Sequence, residues 1–372
     1  MKTLQMQSCV HPEGTIECAF FEVDIPDPKE HEVLIQVEAA PINPSDLGLM
    51  FGPAAIDSAK PGERNGYPSV TLSLPPAALK AMSSRVGQWM PAGNEAAGTV
   101  IAAGNAESAQ AMMGQRVGAF GGEMYAGHRC LPASTCMVLP DPITAEQGAS
   151  CFVNPMTALG FVETLAMEGH KAIVHTAAAS NLGQMLNRIC LADDIPLVSI
   201  VRSSAQRELL ESQGAKLVVD SSTDNFNERL FSAVAETEAT LAFDAIGGGK
   251  LANQILMAME AAAVGRAGGF TRYGSEEMKQ VYIYGALDMS PTTLSRGYGF
   301  CWGVSGWLLV PFLQRFGGER VEAMKQRVVS EMTTTFASHY SSRVRLTDAL
   351  AIDAIQQYGV RATGQKTLIV NG

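Results

Sequence analysis

A regular alternation of short apolar segments with amphipathic segments, beginning after residue 150, constrains the fold of this chain more than any other feature. Ala172–His175 is an apolar run typical of a buried strand, and apolar residues then recur between Leu182 and Cys190 at the spacing of one helix face. A second apolar run at Leu197–Val201 precedes a helical segment that ends before Gly214. Strands that alternate with helices of about ten residues predict βαβ units and a parallel sheet.

The alternation continues towards the C-terminus. The further predicted elements are a strand at Leu217–Val219, a helix at Asn227–Ala235, a strand at Thr240–Asp244, a helix at Leu251–Ala263, a strand at Gln280–Tyr284, one long amphipathic helix from about Leu308 to Met332, and a final strand at Lys366–Val370.

The first 150 residues have a different pattern. Val33–Glu38, Gly98–Ala102 and Gly114–Phe120 are short alternating runs between turn signals, which predict a small β-barrel or sandwich. Residues 52–91 carry Gly, Pro and polar residues without a sustained period. We predict that this segment is a long loop with one short helix near Ala77–Met82, and loops of that length are usually functional or disordered.

Composition excludes several classes of protein. Apolar residues make up 47% of the chain and charged ones 17%, so the chain can bury a large core and is not a disordered protein. Because 27 basic residues are outnumbered by 37 acidic ones, for a net charge of −10, we expect no nucleic-acid partner. The longest membrane-like run, Gly303–Leu313, is shorter than the roughly 20 residues that span a bilayer, so we expect no membrane partner.

Cysteine usage and the N-terminal segment indicate a cytoplasmic protein. The seven cysteines are odd in number and form no Cys-x-x-Cys pair, which argues against a disulfide framework and a four-thiolate zinc site. His128, Cys130 and Cys136 lie close together, but their spacing fits no zinc pattern. The first residues contain no apolar run long enough for a signal peptide.

Thr176–Gly183, between the first predicted strand and its helix, carries the first chemical signal. Its residues are mostly small, so backbone N–H groups and the positive end of the helix can approach a pyrophosphate. Ala, Ser and Asn replace most glycines of a dinucleotide-binding fingerprint, and Gly183 remains. The alternative interpretation is a tight strand-to-helix turn that binds nothing.

The end of the second strand favours NADP(H) over NAD(H). An NAD-selective fold places a carboxylate about twenty residues further on, where it bonds the ribose 2′-hydroxyl. Here Arg202, Ser203, Ser204 and Arg207 follow the strand, with no acid before Glu208. A guanidinium and two hydroxyls suit a 2′-phosphate through charge-assisted hydrogen bonds. The alternative interpretation is a solvated arginine in a loop.

Six segments in this order and spacing resemble the medium-chain dehydrogenase/reductase superfamily, in its zinc-free quinone oxidoreductase and enoyl reductase branch. They are Ile42–Asp46, Gly93–Gly98, Asn154–Ala158, Gln213–Ala215, Phe243–Asp244 with Gly247–Gly248, and Arg361–Gly364. The resemblance covers nearly the whole chain and implies an α/β fold. A Rossmann doubly wound parallel sheet, residues 151–305, would be inserted into a GroES-like β-rich substrate domain formed by residues 1–150 and 306–372.

The resemblance also implies roles for individual residues around NADP(H). Asn43 and Thr157 would face the nicotinamide end, and Lys366 would close the site from the C-terminal segment. The pyrophosphate would lie against Ala177, Ser180, Asn181 and Leu182, the adenosine phosphate against Arg202, Ser203 and Arg207, and the nicotinamide between Gly247, Gly285, Ala286, Leu287, Phe300 and Trp302.

Two departures from the wider superfamily bear on the chemistry. The zinc-dependent branch uses a Cys and a His near the positions of Asn43 and Asn94, and an asparagine side chain is a poor zinc ligand, so we expect no metal. Enoyl thioester reductases of this branch carry a Tyr as proton donor shortly after the Asn-Pro-Ser-Asp motif, where this chain has none. Tyr67 is the candidate replacement, with Tyr125 as an alternative.

The expected activity is NADPH-dependent, metal-free hydride transfer to a small-molecule acceptor, either a quinone or an activated enone, with Asn43 as a donor to the acceptor oxygen. Alternatives are an enoyl-CoA or enoyl-ester reductase and a redox sensor that binds NADPH without turnover. Gly299–Trp307 is apolar and uncharged, and as an exposed sheet edge it would invite aggregation. We therefore predict a homodimer paired through this edge.

Overall fold

The chain folds into two units, each built from a different kind of sheet. The computed structural model describes residues 1–268, 272–360 and 363–371. The first unit comprises Met1–Val153 and Lys325–Gly372, and the second comprises Asn154–Met324. The sequence prediction placed the boundaries of the inserted unit at residues 151 and 305, so the observed second unit extends further towards the C-terminus.

Twenty strands and twelve α-helices are assigned within the described residues. The strands are β1 (Lys2–His11), β2 (Thr15–Asp24), β3 (Glu32–Pro41), β4 (Lys60–Arg64), β5 (Tyr67–Ser73), β6 (Met90–Pro91), β7 (Glu95–Ala103), β8 (Arg116–Phe120), β9 (His128–Pro132), β10 (Cys136–Val138), β11 (Ile173–His175), β12 (Leu197–Val201), β13 (Leu217–Asp220), β14 (Leu241–Asp244), β15 (Gly247–Gly249), β16 (Lys279–Ile283), β17 (Asp288–Thr292), β18 (Trp302–Gly306), β19 (Ser342–Arg345) and β20 (Thr367–Val370). The helices are α1 (Pro44–Met50), α2 (Pro76–Ala81), α3 (Glu107–Gln110), α4 (Ala145–Gly148), α5 (Val153–Glu168), α6 (Asn181–Ala192), α7 (Ser204–Ser212), α8 (Phe226–Thr237), α9 (Leu251–Ala267), α10 (Leu309–Phe316), α11 (Gly318–Ser330) and α12 (Ile352–Gly359).

Two largely antiparallel sheets form the first unit, in agreement with its alternating sequence runs. One has the strand order β4-β5-β2-β1-β6, and the other has the order β10-β8-β7-β3-β20-β19, with β9 also paired to β3. Strand β20 returns from the C-terminal segment to pair antiparallel with β3. Phe20, Ile35 and Val70 are among the buried side chains of the core. The predicted β-rich fold is confirmed.

Residues 52–91 are not the predicted long loop. Strands β4 and β5 form an antiparallel hairpin, and β5 also pairs with β2, so the segment widens the first sheet. Asn65 and Gly66 form the hairpin turn with φ values of 54° and 80°, which is the geometry that favours an Asn-Gly pair. That dipeptide was the missed signal. Helix α2 lies where the short helix was predicted.

The second unit is built on a six-stranded parallel sheet of order β13-β12-β11-β14-β16-β18. With the strands counted along the chain, this is the 3-2-1-4-5-6 order of a Rossmann sheet. The apolar stripe of α6 is buried at Leu182, Met185, Leu186 and Ile189, as its spacing predicts. The predicted doubly wound parallel sheet is confirmed.

Two helices replace the single long one predicted from about Leu308 to Met332. Helix α10 ends at Phe316. Gly317 follows with a φ of 86°, in the left-handed region that favours glycine, and α11 begins directly after it. The Gly317–Gly318 pair was the signal for this break. No α-helix in the described part of the chain is long and apolar enough to cross a membrane.

Candidate functional site

The turn between β11 and α6, in the second unit, has the geometry of a dinucleotide-binding turn. The Ser180 hydroxyl caps α6 by accepting a hydrogen bond from the backbone N–H of Gly183, at 3.1 Å. A Cβ atom on Gly183 would overlap the carbonyl oxygen of Ala178, so close packing of helix on turn requires glycine there. Ala177 has a φ of 49°, a conformation in which alanine can replace glycine at some cost. Gly183, the glycine of the fingerprint that remains in the sequence, is thus at the position where close packing requires glycine.

The start of α6 presents the groups that bind an anion. Asn181 and Leu182 are the first two residues of this twelve-residue helix, whose first-turn N–H groups and dipole attract negative charge. The carboxyl end of β11 lies directly before the turn, which is where open α/β sheets bind their ligands. Ala177, Ser180, Asn181 and Leu182 therefore lie together, as predicted, although their contact with a pyrophosphate stays a prediction.

A buried hydrogen-bond network fixes the carboxyl ends of β11 and β14. The Thr176 hydroxyl donates to the Asp244 carboxylate at 2.7 Å and accepts from the backbone N–H of Ala245 at 2.8 Å. Asp244 also accepts hydrogen bonds from the N–H groups of Ile246 and Gly247. Sequence reasoning named Asp244 only as part of a family segment. An acid that ends one apolar strand and a threonine that follows another could have revealed the pairing.

Glycines keep the neighbouring strand ends close together. Gly247 has a φ of 81°, and a Cβ atom on Gly285 would lie 2.6 Å from the carbonyl oxygen of Ala245. Gly285 and Ala286 line an open cleft of about 580 Å³ at the carboxyl end of β16. Leu287 follows with its side chain 49% exposed. This cleft is the candidate position for the nicotinamide ring.

The end of β12 offers one accessible cation and one capping hydroxyl. Arg202 is exposed, and its guanidinium forms no ion pair with a residue that the structure describes. The Ser203 hydroxyl caps α7 by accepting from the N–H of Gln206 at 3.3 Å. Arg207 lies 3.8 Å from Glu211, one helical turn away. Arg202 is therefore the better placed of the two arginines to bind a phosphate.

Phe300 and Trp302 lie away from the glycine-lined cleft, and their contact with the nicotinamide stays a prediction. Trp302 begins β18 and pairs with Lys279 at the amino ends of two parallel strands, the edge of the sheet opposite to Gly285. Its ring packs on the buried Tyr298, with centroids 4.8 Å apart, and Phe300 is 80% exposed. The residues of this segment that reach the cleft are instead Gly306, Trp307 and Leu308, at the carboxyl end of β18.

The first unit contains a buried polar cluster, formed by Asn43, Asp46, Glu95 and Lys366. The Asn43 amide donates to one oxygen of the Glu95 carboxylate at 2.8 Å. The other Glu95 oxygen accepts from the N–H groups of Phe152 and Val153, at 2.9 and 2.8 Å. The Asp46 carboxylate accepts from the N–H groups of Asn43 and Asn94, at 2.8 and 2.9 Å. Three distant segments of sequence thus meet around the two acids.

Burial shifts the pKa of each ionisable group in this cluster. It raises the pKa of the Asp46 carboxyl to about 7 and raises the pKa of Glu95 as well. It lowers the pKa of the Lys366 ammonium to about 8, although the negative charges of Glu95 and Asp46 oppose that shift. Perturbed groups of this kind concentrate at functional sites. The Asn43 side-chain oxygen and Lys366 Nζ are buried without a hydrogen-bond partner in the described chain.

The two tyrosines considered as proton donors lie in different environments. Tyr67 begins β5, where its ring packs against Phe20 and its hydroxyl donates to the exposed Glu22 at 3.0 Å. Its role as the proton donor stays a prediction. Tyr125 is fully buried, with its hydroxyl donating to the carbonyl oxygen of Pro41 at 2.9 Å. Burial raises the pKa of Tyr125 well above its usual value, which makes it a poor proton donor.

Other predicted residues are placed as follows. Thr157 is buried in α5 of the second unit, and its nicotinamide contact stays a prediction. Asn94 donates from its side-chain amide to the Ser45 hydroxyl at 3.0 Å. No group of three His, Cys, Asp or Glu side chains that could hold a metal occurs in residues 1–268, 272–360 and 363–371. Arg361 and Ala362, in the last family segment, lie outside the described residues.

Sequence reasoning missed a buried His175–Tyr284 pair at the ends of β11 and β16. The His175 ring and the Tyr284 hydroxyl are 2.8 Å apart. Burial lowers the pKa of His175 to about 3, so the ring is neutral. Tyr284 also lines the cleft beside Gly285. A histidine ending an apolar strand was the available signal.

The chain has the fold of solved structures described as quinone reductases and enoyl reductases. No protein-family model matches the chain. A protein from Mesorhizobium loti assigned as an NADPH:quinone reductase is 23% identical, with a TM-score of 0.73 over 100% of this chain and 98% of that chain.

Two further similar structures are a quinone oxidoreductase and an enoyl thioester reductase. The Escherichia coli quinone oxidoreductase complexed with NADPH is 19% identical, with a TM-score of 0.70 over 99% of this chain and 100% of that chain. A mutant enoyl thioester reductase from Candida tropicalis is 18% identical, with a TM-score of 0.66 over 100% of both chains.

Proposed function

We propose that this protein is an NADPH-dependent, metal-free oxidoreductase that transfers a hydride to a quinone or an activated enone. The observation that carries the proposal is the turn from β11 into α6, with the exposed Arg202 at the end of the next strand. Its geometry accepts a pyrophosphate, and its charge suits a 2′-phosphate. The similar Escherichia coli enzyme was solved with NADPH, which supports the same cofactor here.

The described residues fit this cofactor in three places. The N–H groups at the start of α6 would hold the pyrophosphate, and Arg202 with Ser203 would hold the 2′-phosphate. The glycine-lined cleft at the end of β16 leaves room for a planar ring because Gly285 and Ala286 carry little or no side chain. Bound NADPH supplies the hydride, while the protein orients the acceptor and excludes water.

The acceptor needs a group that neutralises the negative charge developing on its oxygen. The predicted donor, Asn43, uses one of its two amide N–H groups in the hydrogen bond to Glu95, which leaves the other for an acceptor oxygen. A quinone is the preferred acceptor because its reduced oxygens need a hydrogen-bond donor more than a dedicated acid. An enoyl-CoA or enoyl-ester is the second candidate, supported by the similar Candida tropicalis structure.

A panel of acceptors tests this function. NADPH oxidation is followed by absorbance with 1,4-naphthoquinone, 1,4-benzoquinone, methyl vinyl ketone and crotonyl-CoA. We expect turnover with a quinone or the enone, and a preference for NADPH over NADH. Faster turnover of crotonyl-CoA would establish the second candidate. Tight NADPH binding with no turnover of any acceptor would instead support a redox sensor.

We also propose that the protein is a cytoplasmic homodimer paired through β18. This strand ends the order of the parallel sheet, and its known ladder partner is β16. A free strand edge with few charges is a hazard that pairing removes. Light scattering at micromolar concentration should give twice the 39.5 kDa of one chain, and a monomer mass would contradict the dimer.

A further inference from the structure

The cleft at the carboxyl ends of β16 and β18 has two kinds of wall. Gly285 and Ala286 line one side with little or no side chain, whereas Trp307, Leu308 and Phe312 line an apolar side at the start of α10. None of the described residues that line the cleft carries a charged side chain. Its volume of about 580 Å³ is within the usual range for ligand pockets, so the cleft has room for more than one six-membered ring.

Trp307 and Phe312 form the buried floor of the apolar side, and their contacts hold both rings in place. The Trp307 indole N–H donates to the Thr164 hydroxyl at 3.1 Å, and its ring stacks on Phe312 with centroids 4.9 Å apart. A Cβ atom on Gly160 would lie 2.9 Å from the Trp307 ring, so α5 carries glycine where that ring packs. The Arg315 guanidinium lies 4.6 Å from the centre of the Phe312 ring. A floor held in this way loses little conformational freedom when a ligand binds.

Leu308, which follows the buried Trp307, is 67% exposed although its backbone is fixed on both sides. The Trp307 N–H donates to the carbonyl oxygen of Ile283 at 2.9 Å, and the carbonyl oxygen of Leu308 accepts from the N–H of Phe312 at 3.3 Å. The backbone of Leu308 is extended, with φ −132° and ψ 130°, and successive side chains of an extended segment point to opposite sides. A large apolar side chain left open to water at a cleft is typical of a ligand-binding surface.

We propose that Leu308 is a specificity-determining residue, which packs on the apolar ring of the acceptor and makes the protein prefer a bicyclic quinone to a small open-chain enone. This assignment rests on the proposed function. Hydride transfer needs the two reacting carbons about 3–3.5 Å apart, so the acceptor has to bind beside the nicotinamide in the same cleft. An uncharged cleft suits an uncharged ring, and the second ring of a naphthoquinone offers apolar area that methyl vinyl ketone lacks.

A second copy of this chain is the other occupant that could cover Leu308, because Leu308 lies two residues after β18, the strand of the proposed dimer. Val310 separates the two explanations. It lies in the same helix, α10, and is also an exposed apolar residue, at 44%, but it does not line the cleft. Val310 is therefore the matched control for a substitution at Leu308.

The test compares Leu308→Ser with Val310→Ser in the full chain. Both substitutions shorten an exposed aliphatic side chain, so we expect both variants to fold. We measure kcat/KM for 1,4-naphthoquinone and for methyl vinyl ketone with NADPH, and the Kd of NADPH by fluorescence. Calorimetry gives the Kd of 1,4-naphthoquinone for the protein saturated with NADP⁺, in which no turnover occurs.

Leu308→Ser should weaken the binding of 1,4-naphthoquinone, and lower kcat/KM for it, by about 5- to 30-fold. That range corresponds to covering the 67% of the leucine side chain that is exposed. The kcat/KM for methyl vinyl ketone and the Kd of NADPH should each change by less than about threefold, because neither ligand depends on this contact. Leu308→Met, which keeps an apolar side chain, should recover most of the loss, and Val310→Ser should match the parent.

Parental values for Leu308→Ser, or equal losses for 1,4-naphthoquinone and methyl vinyl ketone, would overturn the assignment while the proposed function stands. An equal loss of NADPH affinity would assign Leu308 to the cofactor instead. Light scattering that gives a monomer for Leu308→Ser and a dimer for the parent would assign it to the contact between copies. A parent that reduces no acceptor overturns the proposed function, and a calorimetric loss confined to Leu308→Ser would still support the binding role.

Discussion

The turn between β11 and α6 and the buried polar cluster use opposite kinds of groups. The turn, in the second unit, presents backbone N–H groups and small side chains around Gly183. The cluster, in the first unit, holds two carboxylates and an ammonium away from water, with pKa values shifted by burial. A site that binds through backbone N–H groups keeps its function when alanine or serine replaces glycine at several positions. A site made of buried charges depends on every member, because each charge left alone is costly.

The largest expected effect is therefore in the cluster. Glu95→Ala removes the acceptor of three hydrogen bonds. We expect the free energy of unfolding in urea to fall by about 3–5 kcal/mol, because each buried donor left without an acceptor costs about 1–3 kcal/mol. Glu63→Ala, at an exposed position of β4, should change it by less than about 0.5 kcal/mol. Equal small losses in both variants would show that the cluster does not stabilise the first unit.

We expect a substitution in the turn between β11 and α6 to lower stability less than Glu95→Ala does, but to weaken cofactor binding more. The methyl group of Gly183→Ala would push the turn away from α6, at a cost of about 1–3 kcal/mol in stability. We expect the Kd of NADPH to rise at least about tenfold, because misplaced N–H groups cannot bind the pyrophosphate.

Gly265→Ala is the matched control for that substitution. Gly265 lies within α9, and a Cβ atom there would meet no other atom within 4 Å. Replacing it should raise the free energy of unfolding by up to about 1 kcal/mol and leave the Kd of NADPH unchanged. If Gly183→Ala binds NADPH as tightly as Gly265→Ala does, the turn is structural and the cofactor binds elsewhere.

The difference between the turn, which is one contiguous segment, and the cluster, which joins distant segments, explains how much of the molecule could be predicted from the sequence. The parallel sheet and the turn after β11 follow from local patterns, since the apolar runs, the helix stripe and the small residues are contiguous in sequence. The order of the family segments extended that prediction to the two-domain fold. Asn43 was named in advance, but its hydrogen bond to Glu95 joins segments about 50 residues apart, and no local pattern contains that contact.

The errors also have physical causes. The hairpin at residues 60–73 was missed because four of the five residues of β4 are exposed and the strand carries proline and glycine, so it lacks the alternation of a half-buried strand. The roles of Phe300 and Trp302 came from the family resemblance, which does not specify which end of β18 each residue occupies. Ligands of open parallel sheets bind at the carboxyl ends of the strands, where Trp307 and Leu308 line the cleft.

The central claim is that the second unit binds NADP(H) through the 2′-phosphate of the cofactor. The most direct test measures the dissociation constants of NADPH and NADH for three proteins, which are the parent, Arg202→Ala and Lys216→Ala. Lys216 is an exposed residue immediately before the amino end of β13, so its replacement controls for the loss of one positive charge. A charge-assisted contact to phosphate is worth about 1.5–3 kcal/mol. We therefore expect Arg202→Ala to weaken NADPH roughly 10- to 100-fold and to leave NADH nearly unchanged.

The parent's preference for NADPH should also narrow as salt is raised, because an exposed charge pair is screened. Lys216→Ala should bind both cofactors as the parent does. Equal weakening of NADPH and NADH by Arg202→Ala, or no weakening of either, would contradict the account.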